Sequence, residues 1–573
     1  MINNAELILT GGRIYTVDAA DRVVEALAIA NGRIVATGDA AEVARLKGPD
    51  TRVIDLQGHA VVPGFIDSHP HLDSVGLRLI RPAFGTPRSI DDVLDVIRKE
   101  VAKGKPGEWI ICNPLVDEPE VFGYPARLRE GRWPNRHDLD KVAPENPVYI
   151  EPPSLIAPGH AFANTAALRS AGITGATRPP EGVEIELDEK GEPTGVFRDY
   201  TFPKRLPVVD GAFRAAASLF PTMPEVTQED TYRAVAAGVK AFNAAGVTAI
   251  YEGHGIPAGP QRAYLRLWQE GKLTVRTYFV ISYPASLYRD LGKGMELIEH
   301  TARYAAGNGF GDDYLKFGGL GFSFDSATAM GACLMREPYV GAIGKEWYGV
   351  QIPSDEAFRE IVFACARAGL RVQVQCSGGA AIDKVLALYQ EVNREIPIAD
   401  KRWTIQHCQF PSPENMRVCR ELGVLPTTTT NFLWNYGSVY VRCFGPDLAR
   451  NAIPFKEWLD AGVPVAQCTD GRPYDPMRSF WQMLARRDAV TGQELSTPRQ
   501  KLTRAEALRI YTLNAARTAF WEHVIGSLEP GKYADLVVLS DDIMTIPLDD
   551  IPQTRVLATL VAGRAVHDSG LFS

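Results

Sequence analysis

A chain of 573 residues, 45% apolar and 23% charged, can bury a large core, which excludes disorder over long stretches. Its formal net charge of −8, with Lys and Arg scattered rather than striped, argues against nucleic acid as a partner. There is no apolar run long enough to span a membrane and no signal-peptide pattern at the N-terminus, so a soluble, cytoplasmic protein without a membrane partner is expected.

Residues 1–62 read as short strands, LILTGG, RIYTVD, EALAIANGRIVATG and TRVIDLQGHAVVPG, reversed at Gly or Asn-Gly. Residues 526–573 have the same character in GKYADLVVLS and TRVLATLVAGRAVHD. The two ends are expected to form one small β-sandwich domain, with residues 63–525 inserted between them. Within the insertion, β-branched runs alternate with helix-like segments: AVVPGFIDSHPH from 60, GVTAIYEG at 246, VRTYFVIS at 275, YLKFGGLGF at 314, LRVQVQCS at 370, WTIQHCQ at 403, GVLPTTTT at 423 and VPVAQCTDG at 463. Eight such βα units close a (β/α)8 barrel, an α/β fold. The long stretch at about 75–225, between the first and second runs, is expected to be a lid subdomain over the barrel mouth. LTRAEALRIYTLNAARTAFW, at 502–521, has helical periodicity and a Thr start. Cys112, Cys333, Cys365, Cys376, Cys408, Cys419, Cys443 and Cys468 contain no CxxC pair and read as reduced thiols.

Barrel active sites are built at the C-terminal ends of the strands. His69 and His71 lie two apart at the first such end, where period-two geometry points both imidazoles to one side and lets them share a metal. Glu252 and His254 have the same spacing at the second and read as groups that support the ligands or contact substrate, or else as metal ligands. Trp109, Phe122 and Tyr124, with Phe432, Trp434 and Tyr436, are candidates to wall an apolar pocket; Trp109 and Trp434 are taken as substrate contacts. His59, His137, His300, His523 and His567 fall away from predicted strand ends and read as structural.

VVPGFIDSHPH, GHAFANTAALRSAGIT, GVTAIYEG, TIQHCQ, CTDGRPYDP, TLNAARTAF and GSLEPGKYADLVVL occur in an order that resembles the amidohydrolase superfamily. Within it, the chain is similar to the long YtcJ-like, N-substituted formamide deformylase-like branch (amidohydrolase family 3). The resemblance spans almost the whole chain. It implies a divalent metal, Zn2+ above others, held by His69, His71 and Asp470, with Asp470 also the general base and His407 a second-metal ligand. It also implies that Lys316 closes the fourth strand, either carboxylated and bridging two metals or unmodified and donating to substrate. His160 and Asn164 would reach over the site from the lid, His160 as a catalytic group and Asn164 as a substrate contact. The fifth strand departs from the family pattern: Gln375 replaces the usual His and Gly379 the usual Asp, so one second-metal ligand is missing. The site then holds one metal, or Glu252, His254 or Lys316 fills the gap; Gln375 is kept as a substrate contact.

The implied reaction is hydrolysis of a C–N bond in an N-substituted amide, formamide or cyclic amide by metal-bound hydroxide. A deaminase, esterase or lyase on the same barrel is the alternative, and a metal-free binding protein the more distant one. A homodimer is expected on the frequency of such assemblies.

Overall fold

The computed structural model describes residues 4–200, 215–341 and 344–572. Each of the eight predicted runs supplies one parallel strand of a barrel: β1 (Phe65–Asp67), β2 (Val247–Ile256), β3 (Arg276–Ser282), β4 (Leu315–Ser323), β5 (Val372–Cys376), β6 (Thr404–His407), β7 (Leu425–Thr428) and β8 (Ala466–Gln467). They pair in sequence order from β1 to β8. The seam between the last strand and the first is bridged by Ser68 N–H donating to Gln467 O at 3.2 Å and Asp470 N–H to His69 O at 2.9 Å. All positions of β5, β6 and β7 are buried, but these strands carry Gln and Thr among their apolar residues, and Thr404 donates to Gln373 across the β5–β6 pair at 2.8 Å.

The first run divides between two sheets. Ala60–Pro63 pairs with Ala5–Tyr15 and with Leu536–Leu539, so strands from both ends of the chain share one eight-stranded sheet. Gly64 then crosses into the barrel at a point where a Cβ would lie 2.1 Å from Thr248 Oγ1. In the same sheet, the turn between Val23–Ala30 and Arg33–Gly38 has positive φ at Asn31 (51°) and Gly32 (74°), the backbone a two-residue hairpin of primed type requires. Sheet and barrel are joined by Arg276 at the start of β3, whose guanidinium donates to both oxygens of Asp535 at 2.6 and 3.0 Å; neither side chain is more than 2% exposed. Such a pair is costly to break because the survivor is left charged and buried.

Between β1 and β2 lies a five-stranded sheet ordered Val183–Leu187, Pro193–Asp199, Gly159–Ala163, Val148–Ile150, Ile110–Cys112. Residues 201–214 of the expected insertion fall outside the described residues. The helix Gln228–Ala244 brings the chain back to β2 and packs against Leu72–Ile80, where Gly76 and Gly238 leave no room for a Cβ. The predicted helix at 502–521 is two: Arg504–Ile510, with Thr503 and Glu506 forming a capping box, and Leu513–Thr518. At the break Tyr511 O accepts from Ile66 N–H of β1 at 3.0 Å, a tertiary bond in place of a helical one. All eight cysteines are free thiols. No helix among the described residues is long and apolar enough to cross a membrane.

Candidate metal centre

β1 ends at Asp67, so His69 and His71 lie beyond the strand, in the turn Ser68–His71. Their convergence comes from this turn and not from strand alternation: His71 has a left-handed backbone (φ 51°) and starts the helix Leu72–Ile80. The two rings stand edge to face at 90°, with their Nε2 atoms 3.0 Å apart. Asp470 Oδ1 lies 3.2 Å from Nε2 of His69 and 3.1 Å from Nε2 of His71. Zinc–ligand bonds of about 2.0–2.1 Å place neighbouring donor atoms roughly 3.0–3.4 Å apart, depending on coordination number. The three donors therefore already have the spacing of a shared cation's ligands.

Two more histidines complete the cluster. Ligand atoms of His69, His407 and Asp470 lie within 4.8 Å of one another, as do those of His69, His71 and His254. Each of His69, His254 and His407 carries a buried Nδ1 with no hydrogen-bond partner. Burial, helped by neighbouring imidazoles, holds His254 well below the usual histidine range and His407 down to about 3, so both keep a free lone pair. Burial alone would raise the Asp470 carboxyl, but hydrogen bonds from His69 and His71 hold it far below the carboxylate range, ionised. His71 differs: against the effect of burial, Asp470 and Glu252 push its pKa up to about 9, so it gives up a proton when a cation binds. An ionised carboxylate among imidazoles is the donor chemistry a divalent cation takes, with release of that proton, so the donor set fits one. His71, His407 and Asp470 all have positive φ (51°, 69° and 56°). Strain of this kind concentrates where a site dictates the backbone.

The remaining predicted residues divide. Lys316 does not close β4: it is the second residue of a nine-residue strand, paired with Tyr278 and Gly311. The strand continues to Ser323, so the expected bridging or donor role is corrected. Asn164 is fully buried as the cap of helix Thr165–Ser170; it accepts from Val148 N–H and Ala167 N–H and donates to Ala143 O and Asn146 O. With its amide committed to the lid, it has nothing to offer a substrate. His160 lies in the lid strand Gly159–Ala163 opposite Arg198, stacked on Trp133 at 5.0 Å, and the structure does not bring it into the cluster. Trp109 packs on Phe220 inside the insertion, and Trp434 on Trp481 beneath Arg478, so the ring contacts of both are with packing partners and not with the cluster. Tyr124 stacks on Trp133, also within the lid.

Phe432 does reach the site. It stacks on His407 at 5.6 Å, Tyr436 abuts Phe432, and Phe122 of the insertion abuts Tyr436, forming an aromatic wall that begins at the cluster and runs to the insertion. Glu252 is buried and turned to structure, its Oε1 accepting from Leu72 N–H at 2.8 Å directly after His71. That bond anchors the turn, so of the expected roles Glu252 takes the one that supports the ligands, in place of a substrate contact. Gln375 donates to Asp325 and Ser377, each at 3.0 Å, leaving its Oε1 buried and unpartnered.

Sequence reasoning overlooked three groups. Asp67 accepts from His69 N–H at 3.1 Å, from Thr469 N–H at 3.0 Å and from the Thr469 hydroxyl, tying β1 to the segment after β8. Asp325 accepts from Ser377, Gly378 and Leu334 N–H as well as from Gln375, setting the loops after β4 and β5. Arg472, two residues past Asp470, bonds Ser154 of the lid and pairs with buried Glu118 at 3.6 Å. Asp67 and Arg472 sit inside the motifs FIDSHPH and CTDGRPYDP, where a charged residue next to predicted ligands was the available signal.

Four similarities accompany this geometry. A family model described as the amidohydrolase family matches residues 52–567. The N-substituted formamide deformylase of Arthrobacter pascens is 28% identical over 98% of both chains. Protein LONG AFTER FAR-RED 3 of Arabidopsis thaliana is 26% identical, covering 98% of this chain and 92% of its own. Among solved structures, an uncharacterized metal-dependent hydrolase from Pyrococcus horikoshii OT3 shares the fold with a TM-score of 0.70 and 22% identity, over 95% of this chain and 99% of that one.

Proposed function

The chain belongs to the amidohydrolase family and is a metal-dependent hydrolase, and from that premise we propose that it cleaves the C–N bond of an N-substituted amide, formamide or cyclic amide with Zn2+ as its metal. The observation that carries this reading is the convergence of His69, His71 and Asp470 at 3.0–3.2 Å, with His254 and His407 alongside. An imidazole-rich donor set with one carboxylate suits zinc better than magnesium or calcium, which prefer oxygen. The substrate class rests on the deformylase relative and on the aromatic wall.

When bound, the cation lowers the pKa of water and polarises a carbonyl. His69 and His71, fixed by the turn that Asp67 and Glu252 anchor, would hold the ion together with Asp470. Asp470, kept ionised, takes a proton from the attacking water and returns it to the leaving nitrogen. Phe432, stacked on His407 and backed by the buried Tyr436, excludes water from that side of the approach and offers an apolar face to a substituent. Arg472 and Glu118 hold the lid over that approach.

The test is a panel of N-substituted formamides, amides and cyclic amides with protein purified without chelators, scored for zinc content and for release of acid, amine and ammonia. Acid plus amine, lost on chelation and restored by zinc, is expected. Release of ammonia alone would make the protein a deaminase, and turnover that survives removal of the metal would overturn the mechanism.

A further inference from the structure

We propose that His254 is a metal ligand, occupying the coordination position that β5 gives up at Gln375; this rests on the metal centre proposed above. β5 cannot supply an imidazole here, and the Gln375 amide nitrogen is already committed to Asp325 and Ser377. A neutral amide oxygen is a weak substitute for imidazole toward zinc. His254 stands edge to face with both His69 and His71, each ring centroid at 5.3 Å, and a ligand atom of each of the three lies within 4.8 Å of the others.

The backbone of β2 is built to put it there. Glu252 pairs with Phe279 but Ile256 with Ile281, so four steps along β2 are matched by two along β3. The surplus forms a bulge with His254 at its centre. Gly253 passes so close to the barrel interior that a Cβ would lie 1.9 Å from Gln406 Nε2 and 2.9 Å from Gln373 Oε1, side chains of β6 and β5. Gly255 has φ 96°, and a Cβ there would be 2.5 Å from Ser282 Cα. The bulge crosses β3 and brings the His254 carbonyl against Gly321 of β4, where a Cβ would be 2.6 Å from that oxygen. Three glycines on two strands thus clear a path for one histidine. Bulges that interrupt a ladder next to an active site re-aim a side chain. Like His69 and His407, His254 has a buried Nδ1 without a partner, so no hydrogen bond at that nitrogen commits the ring to the surrounding protein.

The experiment compares wild type, His254→Ala, Gln375→His and the double variant, each loaded with zinc or cobalt(II). Zinc per chain, affinity by chelator competition, the cobalt absorption spectrum and the melting temperature are read. His254→Ala is expected to weaken metal binding at least about tenfold and to change the cobalt spectrum, and Gln375→His in that background to restore binding by returning the imidazole to β5. Wild-type affinity and spectrum in His254→Ala would overturn the inference while leaving the metal centre standing. Metal loss with a lowered melting temperature and no rescue by Gln375→His would also overturn it, because His254 would then be a packing residue. A wild type that binds no metal would refute the underlying reading itself.

Discussion

Replacing Asp67 with Ala removes the group that ties the two ends of the barrel together beneath the metal cluster. Its carboxylate takes His69 N–H and Thr469 N–H on one oxygen and the Thr469 hydroxyl on the other, in a fully buried position. Alanine leaves three buried donors without a partner, each costing about 1–3 kcal/mol, so a total loss of roughly 3–5 kcal/mol is expected after partial relaxation. His69 and Asp470 flank the broken tie, and outer partners of metal ligands are worth about 10–100-fold in affinity. Asp67→Asn keeps the oxygen that accepts both N–H groups, and its amide can donate to Thr469, so it should cost less than about 1 kcal/mol and less than about tenfold in affinity. Thermal unfolding of the apo variants and zinc competition against a chromophoric chelator read the two effects separately. An Asp67→Ala protein that melts with wild type and binds zinc equally well would refute the idea that this residue sets the site.

His160 gives a pH prediction. Burial, aided by Arg198, pulls its pKa from 6.5 to about 4, so the unfolded chain takes up the proton first as pH falls. Stability present above pH 6.5 is therefore lost progressively down to about pH 4, by about 3 kcal/mol at most. His160→Phe, which retains the stack on Trp133, should flatten that part of the melting profile and leave kcat at neutral pH within about threefold; a hundredfold loss would restore a catalytic role. Arg472→Ala strands Glu118, whose side chain is 1% exposed, and should cost about 3–5 kcal/mol at the lid contact, read as faster proteolysis of the lid and a raised KM. Adding Glu118→Gln should recover much of that loss, and additivity of the two changes would argue against the pair. Lys316→Met should keep zinc content and kcat/KM within about twofold, whereas loss of metal would return Lys316 to the site.

The barrel was legible because each strand is marked by a short local run rich in apolar and β-branched residues between helix-like segments, and all eight are visible in one dimension. The convergence of His69, His71, His407 and Asp470 was legible for a related reason, since all four lie at or just past strand ends, whereas the roles proposed for His407 and Asp470 came from the family resemblance. What could not be read depends on residues far away in the chain. Lys316 looked terminal because the length of β4 is set by its register with β3 and β5, not by its own composition. Asn164 looked available until Val148, Ala143 and Asn146 claimed its amide. The placement of His254 depends on a bulge whose size is defined only against β3, and the role of Asp67 on a partner 402 positions away. Periodicity is a local property of the chain, whereas register, strand ends and the partners of buried polar groups are decided only when distant segments compete for the same hydrogen bonds.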